Sequence, residues 1–237
     1  QSNSVAGNAC TTCDERVILR FEGVYMDSSI YINGVCLADW KYGYSTFDWD
    51  ITDHLREGEN EVVLRVTFQA PNSRWYSGAG IYRNVWMIRL PETHIPLDGI
   101  YTSSVETENG YNLTIDTELE WGAITENYEL EYCLHYAEDS KNSAETENRE
   151  IFRVKQPLVG GQEKTSVTIP VDNPRKWDIT DPYLYELQVC LWRDMLRENG
   201  SAETIGNSAS QRTEQQPVQE TNSRELCQEE HLRIGFR

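Results

Sequence analysis

Apolar and polar residues alternate with a period of two along most of the chain, the pattern of strands with one buried and one wet face, and helical periodicity is nearly absent. Val17, Leu19 and Phe21 alternate with Ile18, Arg20 and Glu22, which predicts a strand. Ile30 and Ile32 precede Asn33-Gly34, a dipeptide suited to the positive φ values of a type I′ hairpin turn. Val62, Leu64, Val66 and Phe68 form the expected core face of a later strand whose wet face carries Glu61, Arg65, Thr67 and Gln69. Between them Asp50-Ile51-Thr52-Asp53-His54-Leu55 offers an N-cap and about one helical turn, closed by Glu57-Gly58-Glu59-Asn60. It is the only helix the pattern predicts.

Pro91 and Pro96 bracket a connector, and strands resume near Gly99. A domain boundary is expected there, giving residues 14–95 and 96–237. Leu113, Ile115, Thr117 and Leu119 alternate with polar neighbours, as do Tyr128, Leu130, Tyr132, Leu134 and Tyr136. Runs at Val167 to Val171, Tyr185 to Leu191 and Leu232 to Phe236 bring the count toward the roughly seven strands of an immunoglobulin-like sandwich. Glu138 to Glu150 and Arg197 to Ser223 are acidic and rich in Ser, Asn and Glu, so they read as long mobile hairpin loops. The fold class is all-β, two β-sandwiches in tandem.

The 237 residues suit one large domain or two ordinary ones, and a formal net charge of -18 repels phosphate backbones and anionic membrane surfaces. Nucleic acid and membrane are excluded as partners. No apolar run approaches the roughly 18–20 residues that cross a bilayer. Gln1-Ser2-Asn3-Ser4 reads as the remnant of a cleaved tag. Cys10, Cys13, Cys36, Cys133, Cys190 and Cys227 show no paired repeat, so mostly reduced thiols are expected. Cys10 and Cys13 have half the spacing of a zinc site, but no second Cys/His pair follows, and neither metal nor cofactor is expected.

Two aromatic clusters carry the candidate chemistry. The first runs from Trp40 through Tyr42, Tyr44 and Phe47 to Trp49, and the second from Asn72 through Arg74, Trp75, Tyr76, Gly78 and Gly80 to Tyr82 and Arg83. Aromatic faces stack on the C–H face of sugars while Arg, Asn and Asp bind hydroxyls, so both suit carbohydrate. Large aromatics also fill sandwich cores, and the residues alone leave both readings open. The second cluster is Gly-rich and lies between two expected strands, in the kind of irregular loop where functional residues gather.

These residues resemble the non-catalytic N-terminal modules of glycoside hydrolase family two, the family of β-galactosidases, β-glucuronidases and β-mannosidases. Arg16 through Phe21-Glu22-Gly23-Val24, the hairpin Ile30-Tyr31-Ile32-Asn33-Gly34, and Tyr42 through Asp50-Ile51-Thr52 are similar to the family's opening strands, and Gly58 to Val62 to its next turn. The run from Asn72 through Trp75, Gly80, Ile81, Tyr82 and Arg83 to Trp86 resembles the β-galactosidase-like branch. Trp177 to Leu187 and the terminal Ile234-Gly235-Phe236-Arg237 resemble the close of the family's immunoglobulin-like domain.

The resemblance implies a jelly-roll, galactose-binding-like sugar-binding domain and then an immunoglobulin-like sandwich, both packed around a catalytic (β/α)₈ barrel. Neither of the barrel's two glutamate motifs occurs here, so the chain is expected to be an excised, inactive fragment whose partners are a β-galactoside-like carbohydrate and its own missing barrel. The family occurs inside cells and exported, so it implies no compartment. Its further strands before the Arg16-like one imply an N-terminally incomplete first sandwich with an exposed edge, prone to homo-oligomer formation. No catalytic residue is assigned. Arg74, Trp75 and Tyr76 are the expected substrate-binding residues; in several family members an Asp that contacts substrate falls at or beside Arg74, and Arg donates where Asp accepts. The rival functions are an autonomous carbohydrate-binding module and a structural immunoglobulin-like interaction protein.

Overall fold

A computed structural model describes residues 15–68, 71, 77–122, 127–136, 150–194 and 224–237. The chain divides into two compact units, Gln1–Glu92 and Thr93–Arg237. Both are built of strands, and the sole helical element among the described residues is a 3₁₀ turn at Thr52–His54.

In the first unit, β1 (Glu15–Phe21) lies between β5 (Phe47–Asp50) and β8 (Val85–Pro91), and β3 (Ser28–Ile32) lies between β4 (Val35–Trp40) and β6 (Val62–Val66). A small third pair joins β2 (Val24–Tyr25) to β7 (Gly80–Ile81). Asn33 and Gly34 both take positive φ, 50° and 83°, which closes the β3–β4 hairpin as their residue types require. Leu19, Phe21, Ile30, Ile32, Phe47 and Ile51 form the core. Phe47 stacks on Phe21 at 5.0 Å and on Trp40 at 5.2 Å, so β4 lies over β5.

The expected helical turn is tighter than an α-helix, and Asp50 does not cap it as an N-cap would. Its Oδ1 accepts from Thr52 N at 2.9 Å and from Thr52 Oγ1 at 2.5 Å, while Oδ2 pairs with Arg16 at 3.0 Å. These bonds hold the Asp50 carboxyl below its ordinary pKa against an opposing burial effect. Strand β6 ends at Val66, short of the expected Phe68.

Its core face is also only partly covered. Residues paired directly across strands share a sheet face. Val62 pairs with buried Ile32, and Val85 and Met87 with buried Phe21 and Leu19, yet these three are 46%, 42% and 64% exposed. With β4 over β5, strands β6 and β8 lie on the same flank, and that flank is open among the described residues.

The second unit packs three strands on four. One sheet has the order β13 (Lys164–Asp172), β10 (Gly110–Glu118), β9 (Ile100–Thr107); the other has the order β12 (Glu150–Pro157), β11 (Tyr128–Tyr136), β14 (Tyr185–Asp194), β15 (Arg224–Ile234). Leu113, Ile115, Leu130, Tyr132, Leu134, Leu187, Val189 and Phe236 fill the core between them. The Tyr132 and Thr117 hydroxyls bridge the two sheets at 2.9 Å, which satisfies both buried groups. The entering connector is pinned by paired backbone bonds between His94 and Glu120 and by the buried Gln228 amide, which accepts from Ile95 N at 2.8 Å and donates to Ile95 O at 3.0 Å. Strand β12 was not among the expected runs, and β15 begins eight residues before Leu232. The two expected mobile loops lie outside the described residues apart from Glu150, which opens β12; each joins antiparallel neighbours, β11 to β12 and β14 to β15. Cys36, Cys133, Cys190 and Cys227 are free thiols, and Cys10 and Cys13 lie outside the described residues.

A candidate sugar-facing tyrosine surface

The first aromatic cluster divides into inward and outward parts. Trp40, Phe47 and Trp49 pack on the first unit's core, whereas Tyr42 and Tyr44 are 61% and 39% exposed. Two features of the backbone turn them outward. Residues 41–46 connect β4 to β5 without strand alternation, and Gly43 within that connector lies against the face of Tyr25. A Cβ at Gly43 would fall 2.5 Å from Tyr25 Cδ2, so only glycine permits this approach.

Tyr25 is buried beneath the surface and meets Tyr44 edge-on, with ring centroids 5.2 Å apart. Tyr44 in turn meets Tyr42 edge-on at 5.9 Å. Tyr82 completes the group from the other side. Strand β7 carries it in through the Val24–Ile81 and Tyr25–Gly80 pairs, its N–H donates to Gly23 O at 3.2 Å, and its hydroxyl donates to Gly43 O at 2.8 Å. A Cβ at Gly23 would fall 2.6 Å from Tyr82 Cζ, so a second glycine admits this ring. Burial, and then hydrogen bonding with Tyr25, push the Tyr44 phenol above its ordinary pKa. The Arg83 guanidinium lies 5.6 Å over the Tyr82 ring.

The arrangement is a fixed patch of phenol rings edged by a cation. Each ring offers a π face to sugar C–H groups and a hydroxyl to sugar oxygens. From the sequence clusters the structure brings together Tyr42, Tyr44, Tyr82 and Arg83. Arg74, Trp75 and Tyr76, the expected substrate-binding residues, lie outside the described residues. Tyr25 was missed; its only local signal is the neighbouring Gly23-Val24, since its partners are Tyr44 and Gly43 across a long sequence separation. Among the described residues no group of three or more His, Cys, Asp or Glu side chains could hold a metal ion, and no helix is long and apolar enough to cross a membrane.

The described strands form two tandem β-sandwich domains, and comparison with known proteins gives their family. Residues 8–91 match the family model "Glycosyl hydrolases family 2, sugar binding domain", and residues 93–206 match the model "Glycosyl hydrolases family 2". The chain belongs to glycosyl hydrolase family 2. It is 37% identical over 180 residues to a β-galactosidase of Bacteroides ovatus, across 74% of this chain and 20% of that protein. It is 24% identical over 198 residues to a β-glucuronidase of Formosa agariphila, across 73% and 20%. A family 2 crystal structure from Bacteroides cellulosilyticus superposes with TM-score 0.69 at 25% identity, covering 94% of this chain and 26% of that one. The chain thus spans about a fifth of the length of these curated relatives.

Proposed function

We propose that this chain is the non-catalytic sugar-binding and immunoglobulin-like portion of a β-galactosidase-like glycoside hydrolase, supporting and partly lining the site where O-glycosidic bonds are cleaved. The observation that carries the reading is the tandem order itself, a unit matching the family's sugar-binding model followed by one matching its second model. The 37% identity to a β-galactosidase favours a β-galactoside over other sugars. In this reading the partner of both units is the catalytic barrel of the same enzyme, and Arg74, Trp75 and Tyr76 contact the terminal sugar.

The test uses the enzyme that carries these units together with its barrel. Arg74→Ala is expected to lower kcat/KM on the order of tenfold, about 1.4 kcal/mol, with Tm nearly unchanged. Full activity combined with a Tm several degrees lower would make Arg74 a scaffold residue and remove it from the site. The exposed tyrosine surface supports a second reading, an autonomous carbohydrate-binding module. Saturable binding of lactose by the isolated chain, lost on Tyr44→Ala and with Kd below about 1 mM, would favour that module over the supporting role.

A further inference from the structure

The second unit carries a groove of about 710 Å³ that neither the tyrosine surface nor the family match accounts for. This is within the range of roughly 300–1,000 Å³ typical of small-ligand sites. Its wall is the outer face of the β13-β10-β9 sheet at the end where Tyr101, Asp116 and Ser166 stand in one row, since Asp116 pairs with Tyr101 on one side and Ser166 on the other. Gln162, in the turn between β12 and β13, lines it as well.

Three of these groups have nothing to hold among the described residues. Tyr101 is 67% exposed and stacks on no other ring. No hydrogen bond or ion pair engages the half-buried Asp116 carboxylate or the Ser166 hydroxyl. The frame around them is fixed. Gln162 donates from Nε2 to Lys164 O at 2.8 Å and receives Trp121 Nε1 on its carbonyl at 2.8 Å, and Thr117 beneath is tied to Tyr132 at 2.9 Å. Lys164 is taken up by Glu118 at 2.6 Å.

We propose that this groove is a second carbohydrate site, taking a neutral hexose unit of a glycan whose C–H face lies on Tyr101 while its hydroxyls donate to Asp116 and exchange hydrogen bonds with Ser166. A flat aromatic beside unengaged acceptors and donors matches a pyranose, which presents one apolar face and an equatorial rim of hydroxyls. The lining carries Asp98, Asp116 and Glu118 against the single cation Lys164, so a uronic acid is repelled and a neutral sugar is selected. The site shares its ligand class with the proposed function but none of its residues.

The experiment is a ¹⁵N-resolved NMR titration of the chain with lactose and with a β-linked galactotriose, and with glucuronic acid as the charged control. Saturable shifts are expected at Tyr101, Asp116 and Ser166 with Kd in the range of about 1–10 mM, the weak affinity of a single-ring platform, and none with glucuronic acid. Tyr101→Ala should raise Kd at least about tenfold at an unchanged Tm, because the ring is exposed. Asp116→Asn should weaken neutral-sugar binding and let glucuronic acid in. Shifts that are absent with both sugars, or that survive Tyr101→Ala undiminished, overturn the site. Arg74→Ala and Tyr44→Ala leave these shifts in place if the site stands, so failure of the proposed function and failure of this inference are read separately.

Discussion

Incubated with an aryl β-galactoside, β-glucuronide or β-mannoside, the purified chain is expected to release no aglycone above a buffer blank. A retaining glycosidase needs two carboxyl groups roughly 5–5.5 Å apart, one of them held protonated at neutral pH by a raised pKa. Among the described residues the resolved carboxyl shifts run the other way. Asp50, Glu150, Asp178 and Asp181 are all lowered, by hydrogen bonds from Thr52, Arg153, Thr180 and Arg175. Other close carboxylates are tied to cations, as Glu131 is to Arg153 at 2.5 Å and Lys155 at 3.0 Å. Binding surfaces cannot replace a missing acid and nucleophile, so the expected loss is complete rather than partial. Turnover that survives re-purification and scales with chain concentration would overturn this.

The strands legible in the sequence were those with one wet and one dry face. β10 alternates in burial as in sequence, β1 and β11 alternate in sequence, and Asn33-Gly34 announced its own turn because both residues tolerate positive φ. Strand β12 escaped because it is the outer strand of its sheet: Phe152 and Val154 are only half-buried, Arg153 and Lys155 point outward, and an acidic tract leads into it. The short β2–β7 pair joins residues more than fifty positions apart, which no local pattern reports.

Alternation also placed Glu131 and Cys133 on the wet face of β11, yet both are buried. The face is correct, but β12 and β14 flank it, and the stems of Arg153 and Lys155 cover it while their charges neutralise Glu131. The site was legible in the same limited way. Tyr82 stood in a cluster read as an irregular loop, but Tyr42 and Tyr44 were not separated from Trp40, Phe47 and Trp49, because that separation depends on Gly43 meeting Tyr25, a long-range contact.

Raising the pH from about 8 to about 12 is expected to destabilise the second unit steadily, starting near pH 9. Burial is the first cause in each of three adjacent acids. It pushes Cys133 up to about 11 against the attraction of Arg153, Cys190 up to about 11 with Glu229 adding to it, and Tyr132 up to about 12 against its bond to Thr117. The ordinary values are 9.0 for the thiols and 10.0 for the phenol. A group whose folded pKa is raised contributes its full stability below the unfolded value and loses it as pH climbs through the folded one. Here the unfolded chain sheds these protons first, from pH 9 to 11 at the thiols and from pH 10 to 12 at the phenol. Each loss has a slope of about 1.4 kcal/mol per pH unit and reaches about 2–3 kcal/mol per group. Because the three are neighbours their losses are not strictly additive, but even two of them take a large share of the roughly 5–15 kcal/mol that holds a domain folded. Urea titrations at pH steps across this range should show the midpoint falling steadily above pH 9. Cys133→Ala, Cys190→Ala and Tyr132→Phe together should flatten that fall. The slope is the readout, because Tyr132→Phe also strands the Thr117 hydroxyl in the core and lowers stability at every pH. A triple variant that loses stability with pH as steeply as the parent would show that these buried acids do not set the alkaline limit.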